Sequence, residues 1–422
     1  MFLRTLDGSL KFIKKVSRIS IEKRNLVIMW FANFLVAASA TMVLPFISLY
    51  IETFGPYNNA FVQRWSGFVF GITFLVAFFV SPIWGRIGDR FGFKPILLVT
   101  GYGIAFSIFL MGFVDSVLGL FFLRMAMGAV TGFIPTSLAL ISSQTPKETA
   151  GKTLGTLQMG TVSGGLFGPV LGGLMADTFG FSYTFIITSI AITLAATGVL
   201  IGIVEKREGT SSTKKKPYTR KEVLSHILKH KLLLTIMILS MIIQIANFSI
   251  QPLLTLYVDE LTSTSNLAFL AGLAFSATGF GNLLVTRQWG KLWDEIGYEK
   301  VLSILLVLAA IFIIPQALAE QLWQLVLFRF LFGMAIGGMI PCATAYIRQE
   351  APLSMQGEVL GYNQSFRFLG NVIGPVFGGL ISGFIGISSV FYVTAALFLF
   401  AFGLLWWSLK HSTERNTLKE NY

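Results

Sequence analysis

Gly85-Arg86-Ile87-Gly88-Asp89-Arg90-Phe91-Gly92-Phe93-Lys94-Pro95 is a short glycine-punctuated run with charges of both signs, preceded by Trp84 and wedged between two long apolar segments. The pattern returns 205 residues later as Trp289-Gly290-Lys291-Leu292-Trp293-Asp294-Glu295-Ile296-Gly297. Tryptophan, two glycines and aspartate keep their spacing, so the chain reads as two copies of one unit. Gly85 and Gly92 would allow tight turning at the helix ends. Asp89 is an anion on a short connection, able to accept from a helix N-terminus, where the dipole favours it, or to pair with a base such as Arg90.

The apolar segments set the class. Hydrophobic residues make up 54% of the 422 and charged residues 12%, about half the charge of a soluble domain. The abundance of glycine suits helices that approach closely in lipid. Cys342 stands alone, which excludes an internal disulfide, and three histidines make a zinc site a poor expectation. His226 and His230 lie four apart, but no third ligand is near, so no metal and no cofactor is expected.

Runs long enough to span fall at 25–50, 64–84, 96–114, 117–141, 153–175, 182–203, 232–257, 266–287, 300–318, 322–345, 357–383 and 388–408, each near the roughly 20 residues a span needs. Ala38-Ser39-Ala40 resembles a signal cleavage site, but the apolar run through Tyr50 is too long for a signal core. The expected organisation is a basic amphipathic N-terminus (1–24), a six-helix half (25–203), a cytoplasmic linker (204–231), a second six-helix half (232–408) and a tail (409–422). With both termini inside, 28 of the 32 Lys and Arg are cytoplasmic. The positive-inside rule therefore accounts for the net charge of +12 without a nucleic-acid partner. Arg64 sits at an outer helix edge, and Arg124, Arg329 and Arg367 fall inside spans.

The repeat is long. Leu120, Arg124, Gly128 and Gly132 match Leu325, Arg329, Gly333 and Gly337, and Gly164 to Leu174 matches Gly370 to Leu380. An even number of spans separates the copies, so they run parallel. That gives an all-α integral membrane fold of twelve transmembrane helices in two parallel six-helix repeats, the architecture in which the solute site lies near the midplane between halves.

The run at Gly85 resembles the signature of the major facilitator superfamily between its second and third helices. Arg124 with Gly128 resembles the fourth-helix signature, and Gly164 to Leu174 that of the proton-driven antiporters. Ser81-Pro82-Ile83-Trp84-Gly85, Gly132-Phe133-Ile134-Pro135 and Gln144-Thr145-Pro146-Lys147-Glu148 are similar to the bacterial quinolone-type multidrug efflux pumps. The resemblance implies export of amphipathic drugs in exchange for protons across a bacterial inner membrane. It implies a charge latch of Gly85, Asp89, Arg90, Gly92 and Lys94 against the start of the eleventh helix near Gly357 and Glu358, and a proton-transfer part for Arg124. Phe93 departs from it, standing where a basic residue is usual. In the second copy Glu295 and Glu299 replace basic residues, so only the first run carries the cationic latch.

The remaining candidates come from the residues themselves. Arg124 inside a span is costly and points to function or to helix locking, and its mate Arg329 reads as more purely structural. Gly164, Gly168, Gly172 and Gly173 with Pro169 offer a smooth face, expected to seal the halves against each other. Gln244, Asn247 and Gln251 form one polar stripe, and Asn363, Arg367 and Asn371 another; Asn33 and Asn282 stand alone. These are solute-pathway candidates, and Phe and Met suit flat apolar cations. Proton coupling is what the resemblance implies; since no Asp or Glu lies in the middle of a span, Asp89 and Glu52 are its candidate carriers, with Arg124 in the part the resemblance gives it. Gly151-Lys152-Thr153 lacks the first glycine of a phosphate loop, which argues against ATP-driven pumping. The expected partners are small-molecule drugs, protons and lipids, acting on a monomer. An exporter of a single endogenous metabolite and a non-transporting membrane sensor are the other readings open at this point.

Overall fold

A computed structural model describes residues 21–145, 149–205, 220–262, 264–352 and 355–420. The basic N-terminal segment up to residue 20 and linker residues 206–219 lie outside them. Among the described residues there is no strand, and twelve helical segments are long and apolar enough to cross a membrane. They are Ile21–Glu52, Asn59–Ser81, Phe93–Met111, Val117–Gln144, Gly151–Phe179, Phe181–Gly202, Lys231–Leu261, Leu267–Ile296, Tyr298–Ala317, Leu322–Glu350, Gln356–Ile385 and Ile387–Lys410, here spans one to twelve.

Three spans are broken. Pro45 and Pro252, which have no N–H to give, sit in single 3-10 turns at Leu44–Phe46 and Gln251–Leu253, and split spans one and seven at equivalent places. Span four breaks between Ala129 and Phe133, while its mate, span ten, is continuous.

The opening run is not a loop. One helix runs unbroken from Asn59 to Phe91, so Gly85 and Asp89 are helical and only Gly92 turns the chain, at φ 95. Its mate Gly297 turns at φ 93, and Gly180 and Gly386 form a second such pair at φ 84 and 95. A side chain is strained at those angles, which explains why glycine recurs there. Gly85 and Gly290, by contrast, are interior helix glycines and make no turn.

Close packing organises each half around its first helix. A Cβ on Gly164, Gly168 or Gly172 would clash with the backbone of Phe34, Ala38 or Met42 in span one. Gly370, Gly374 and Gly378 meet Met241, Ile245 and Ser249 of span seven in the same way. The glycine face of span five therefore packs within its own half and does not seal the halves. Only Gly173 does that, against Ala268 of span eight. One residue turns a helix by about 100°, so Gly173 leaves the face that Gly172 occupies.

Candidate solute pathway

The halves meet on the side away from the linker. Gly173 and Gly272 lie against the backbones of Ala268 and Pro169, and their repeat mates Gly379 and Gly67 lie against those of Gln63 and Pro375. Polar contacts close the same side. Both oxygens of Asp177 accept from the N-terminus of span eight, from Ala268 N at 3.2 Å and Phe269 N at 2.7 Å. Arg64 donates to Gly383 O at 3.3 Å and stands over the Phe384 ring at 4.3 Å. Thr255 Oγ1 donates to Pro45 O, and Ser276 Oγ to Leu166 O at 2.6 Å.

Aromatic pairs extend the seal inward. Phe248 of span seven packs on Phe74 at 5.4 Å and Phe70 at 6.2 Å of span two, and Phe167 on Phe280 at 6.2 Å. Toward the linker side the halves part. Added Cβ atoms at Gly151, Gly155, Gly357 and Gly361 would meet nothing. The pathway is thus a cleft closed at one end and open at the other.

The sequence candidates distribute unevenly around this cleft. Gln244 Nε2 donates to Asn371 Oδ1 at 2.8 Å, a buried bond tying span seven to span eleven. Asn363 is buried with Oδ1 unpartnered, and Asn33 is fully buried with neither amide atom satisfied. Arg367 donates from a terminal guanidinium nitrogen to Gln364 Oε1 at 3.0 Å, and its Nε is buried without a partner. Asn247 and Gln251 are half-buried, and exposed Asn282 accepts from Thr286 on its own helix at 2.8 Å.

Arg124 is 3% exposed. Its Nε donates to Val69 O at 3.3 Å, and its guanidinium lies over Phe70 at 5.7 Å. Arg329 donates to Ala274 O at 3.4 Å, the repeat-equivalent carbonyl, and is equally buried. No carboxylate pairs with either among the described residues. Each arginine ties two helices together through a carbonyl, and the two make repeat-equivalent contacts. Trp84 Nε1 to Ala129 O at 2.9 Å and Trp289 Nε1 to Met334 O at 2.8 Å form another matched pair.

In the latch run, the surroundings of Gly85 and the side chain of Asp89 lie outside the described residues. Arg90 is exposed, over Phe91 at 5.1 Å. Lys94 Nζ donates to Ile203 O at 2.7 Å, at the end of span six in its own half. Glu205 caps span three, accepting from Phe93 N at 2.8 Å and Lys94 N at 3.0 Å. Glu52 is exposed at the closed end of span one, within electrostatic reach of Asp259 of span seven. Sequence reasoning missed Asp177, Arg64 and Glu205. Their partners are backbone groups far away in the chain, and the only signal was a lone charge at a helix end.

These features agree with what the chain is similar to. A family profile described as Major Facilitator Superfamily matches residues 29–284 and 262–421. The chain is 63% identical over 378 residues to "Uncharacterized MFS-type transporter YuxJ" of Bacillus subtilis (strain 168), covering 90% of this chain and 96% of that protein. It is 40% identical over 389 residues to "Multidrug resistance protein MdtG" of Rahnella sp. (strain Y9602), covering 92% and 94%. Two solved structures share the fold at low identity. The nucleoside transporter NupG gives a TM-score of 0.74 at 12% identity, covering 93% of this chain and 100% of that one. A bacterial homologue of the human lysosomal transporter Spinster gives 0.74 at 14%, covering 91% and 96%. A matched pair of six-helix halves, a cleft between them and relatives of this kind lead to one conclusion: the chain belongs to the major facilitator superfamily of membrane transporters.

Proposed function

We propose that this protein is a multidrug efflux transporter that exports amphipathic compounds by alternating access, in exchange for protons. The observation that carries the reading is the cleft, sealed at one end by Asp177, Arg64 and paired aromatics, open at the other, with polar side chains between. The likeness to proteins named for multidrug resistance supports the solute class. The distribution of Lys and Arg supports a cytoplasmic linker side with both termini inside; the conformation is then inward-open, and the membrane the bacterial inner one.

In the outward-open state the latch run of span two closes the cytoplasmic end, with Asp89 against the start of span eleven. Lys94, now on Ile203 O, anchors the run to its own half. The proton carrier is Asp89 or Glu52, with Arg124 holding spans two and four in register. Lipid chains fill the apolar groove of about 700 Å³ between spans eight and ten, lined by Leu273, Phe280, Leu284, Trp323 and Leu327. The transporter works as a monomer and needs no cofactor.

Dye efflux from cells with and without a protonophore tests the reading. Efflux of several unrelated dyes that stops with protonophore is expected. Movement of one compound alone would indicate a metabolite exporter, and no solute movement in liposomes would remove transport altogether. Asp89→Asn or Glu52→Gln is expected to abolish uphill export while leaving counterflow intact.

A further inference from the structure

Span eleven carries one charged side chain deep in the bundle. Arg367 lies eleven residues, about 16 Å, from the linker-side end of the helix at Gln356. Leu369, Ile373, Leu380 and Phe384 form the exposed apolar stripe of this helix. Arg367 stands about 200° around from Leu369, so it points into the bundle beside Gln364 and Asn371.

Its position is electrostatically incomplete. Its one hydrogen bond among the described residues goes to the neutral amide oxygen of Gln364, and its Nε is buried and unsatisfied. Among the described residues no carboxylate lies within ion-pair distance of it. No span carries an Asp or Glu near its middle, so neither half brings a counter-charge at this depth. Arg124 and Arg329 are buried against backbone carbonyls, whereas Arg367 is only half-buried. A cation held at this depth calls for an anion, and a guanidinium fork suits a carboxylate.

We propose that Arg367 is a solute-binding residue and that the exported class is amphipathic organic anions, with an apolar body in the cleft and an anionic group on the guanidinium. This rests on the efflux reading and replaces the flat cations expected from aromatic content. It also gives the closed end a role. Glu52, Asp259 and Glu260 cluster there, so an anion released on that side is repelled from re-entering. An inside-negative membrane potential favours export of an anion, so the solute itself contributes to driving its transport.

The test is equilibrium binding to the full chain in nanodiscs by fluorescence anisotropy, with the xanthene dyes carboxyfluorescein (anionic) and rhodamine 123 (cationic). Carboxyfluorescein is expected to bind at least tenfold tighter. R367Q is expected to erase that preference, R367K to keep most of it, and R367E to reverse it; size-exclusion profiles confirm folding. Rhodamine 123 binding as tightly as carboxyfluorescein to the wild type overturns the proposal, as does an unchanged ratio in R367Q. Export of rhodamine 123 without carboxyfluorescein would leave the efflux reading standing and remove this inference. Failure to bind or export either dye would remove both.

Discussion

The two halves share a frame and differ in chemistry. Arg124 and Arg329, Trp84 and Trp289, and Gly168 and Gly374 make the same contacts with repeat-equivalent partners. Tyr50 bonds Met111 O at 2.7 Å, and Tyr257 bonds Gln316 O at 2.6 Å, again equivalents. Yet Asn363, Arg367 and Asn371 of span eleven correspond to Leu157, Thr161 and Gly165 of span five. Gln244 and Asn247 of span seven correspond to Ala37 and Ala40 of span one. The arginine, tryptophan and tyrosine that bond main-chain carbonyls of neighbouring helices are kept in both copies, whereas Asp177, Arg64 and Glu205, which also bind main-chain groups, occur once. At these positions of spans seven and eleven the second half carries amides and a guanidinium where the first carries small or apolar side chains, although Gln364 keeps a glutamine mate in Gln158. The polar stripes of spans seven and eleven are therefore features of the second half that its repeat mate does not share in full.

Perturbing the frame in pairs would break or sharpen that comparison. The largest effect is expected from Gly172→Leu and Gly378→Leu, each of which drives a side chain into a helix backbone. Overpacking of this kind costs about 3 kcal/mol or more, and both variants should lose their monodisperse peak on size-exclusion chromatography. One tolerated and the other not would show that the frames differ. Arg124→Ala and Arg329→Ala come next. Each removes a charge-assisted bond to a helix carbonyl that keeps its own N–H donor, at a cost of about 2 kcal/mol. Matched drops in thermal stability are expected, and a stable Arg124→Ala variant that has lost only transport would show a role beyond locking. Asp177→Ala removes a carboxylate from a helix N-terminus, worth about 1 kcal/mol. It should shift the population roughly fivefold toward the state open at that end, read as faster labelling of a cysteine placed there. Glu205→Ala removes a cap that exists only in the first half among the described residues. A loss of about 1 kcal/mol in thermal stability is expected, with the seal at the other end unchanged.

Much of the frame was legible because lipid imposes simple rules. Twelve apolar runs, the Lys and Arg asymmetry and the repeat offsets follow from length, charge and spacing. The breaks at Pro45 and Pro252 were visible as prolines, but not as matched 3-10 turns. Gly85 misled because glycine in a charged stretch reads as a turn, whereas inside a membrane bundle a helix runs on past its apolar stretch when neighbours support it. Gly164 to Gly173 gave the right face and the wrong partner, since spacing reports which residues share a face and not which helix covers it. Asp177, Arg64 and Glu205 bind main-chain groups, and a main-chain group leaves no mark in the sequence that could identify the partner.

Alternating access requires the two ends to move in opposite senses about the cleft. Spin labels at Gly155 and Gly361, which face open space on the linker side, and at Thr53 and Ser265 on the closed side would report both ends by electron–electron double resonance. On adding a transported dye, the first distance should shorten and the second lengthen in the same fraction of molecules. Two distances that stay fixed, or that change in the same sense, would contradict the account.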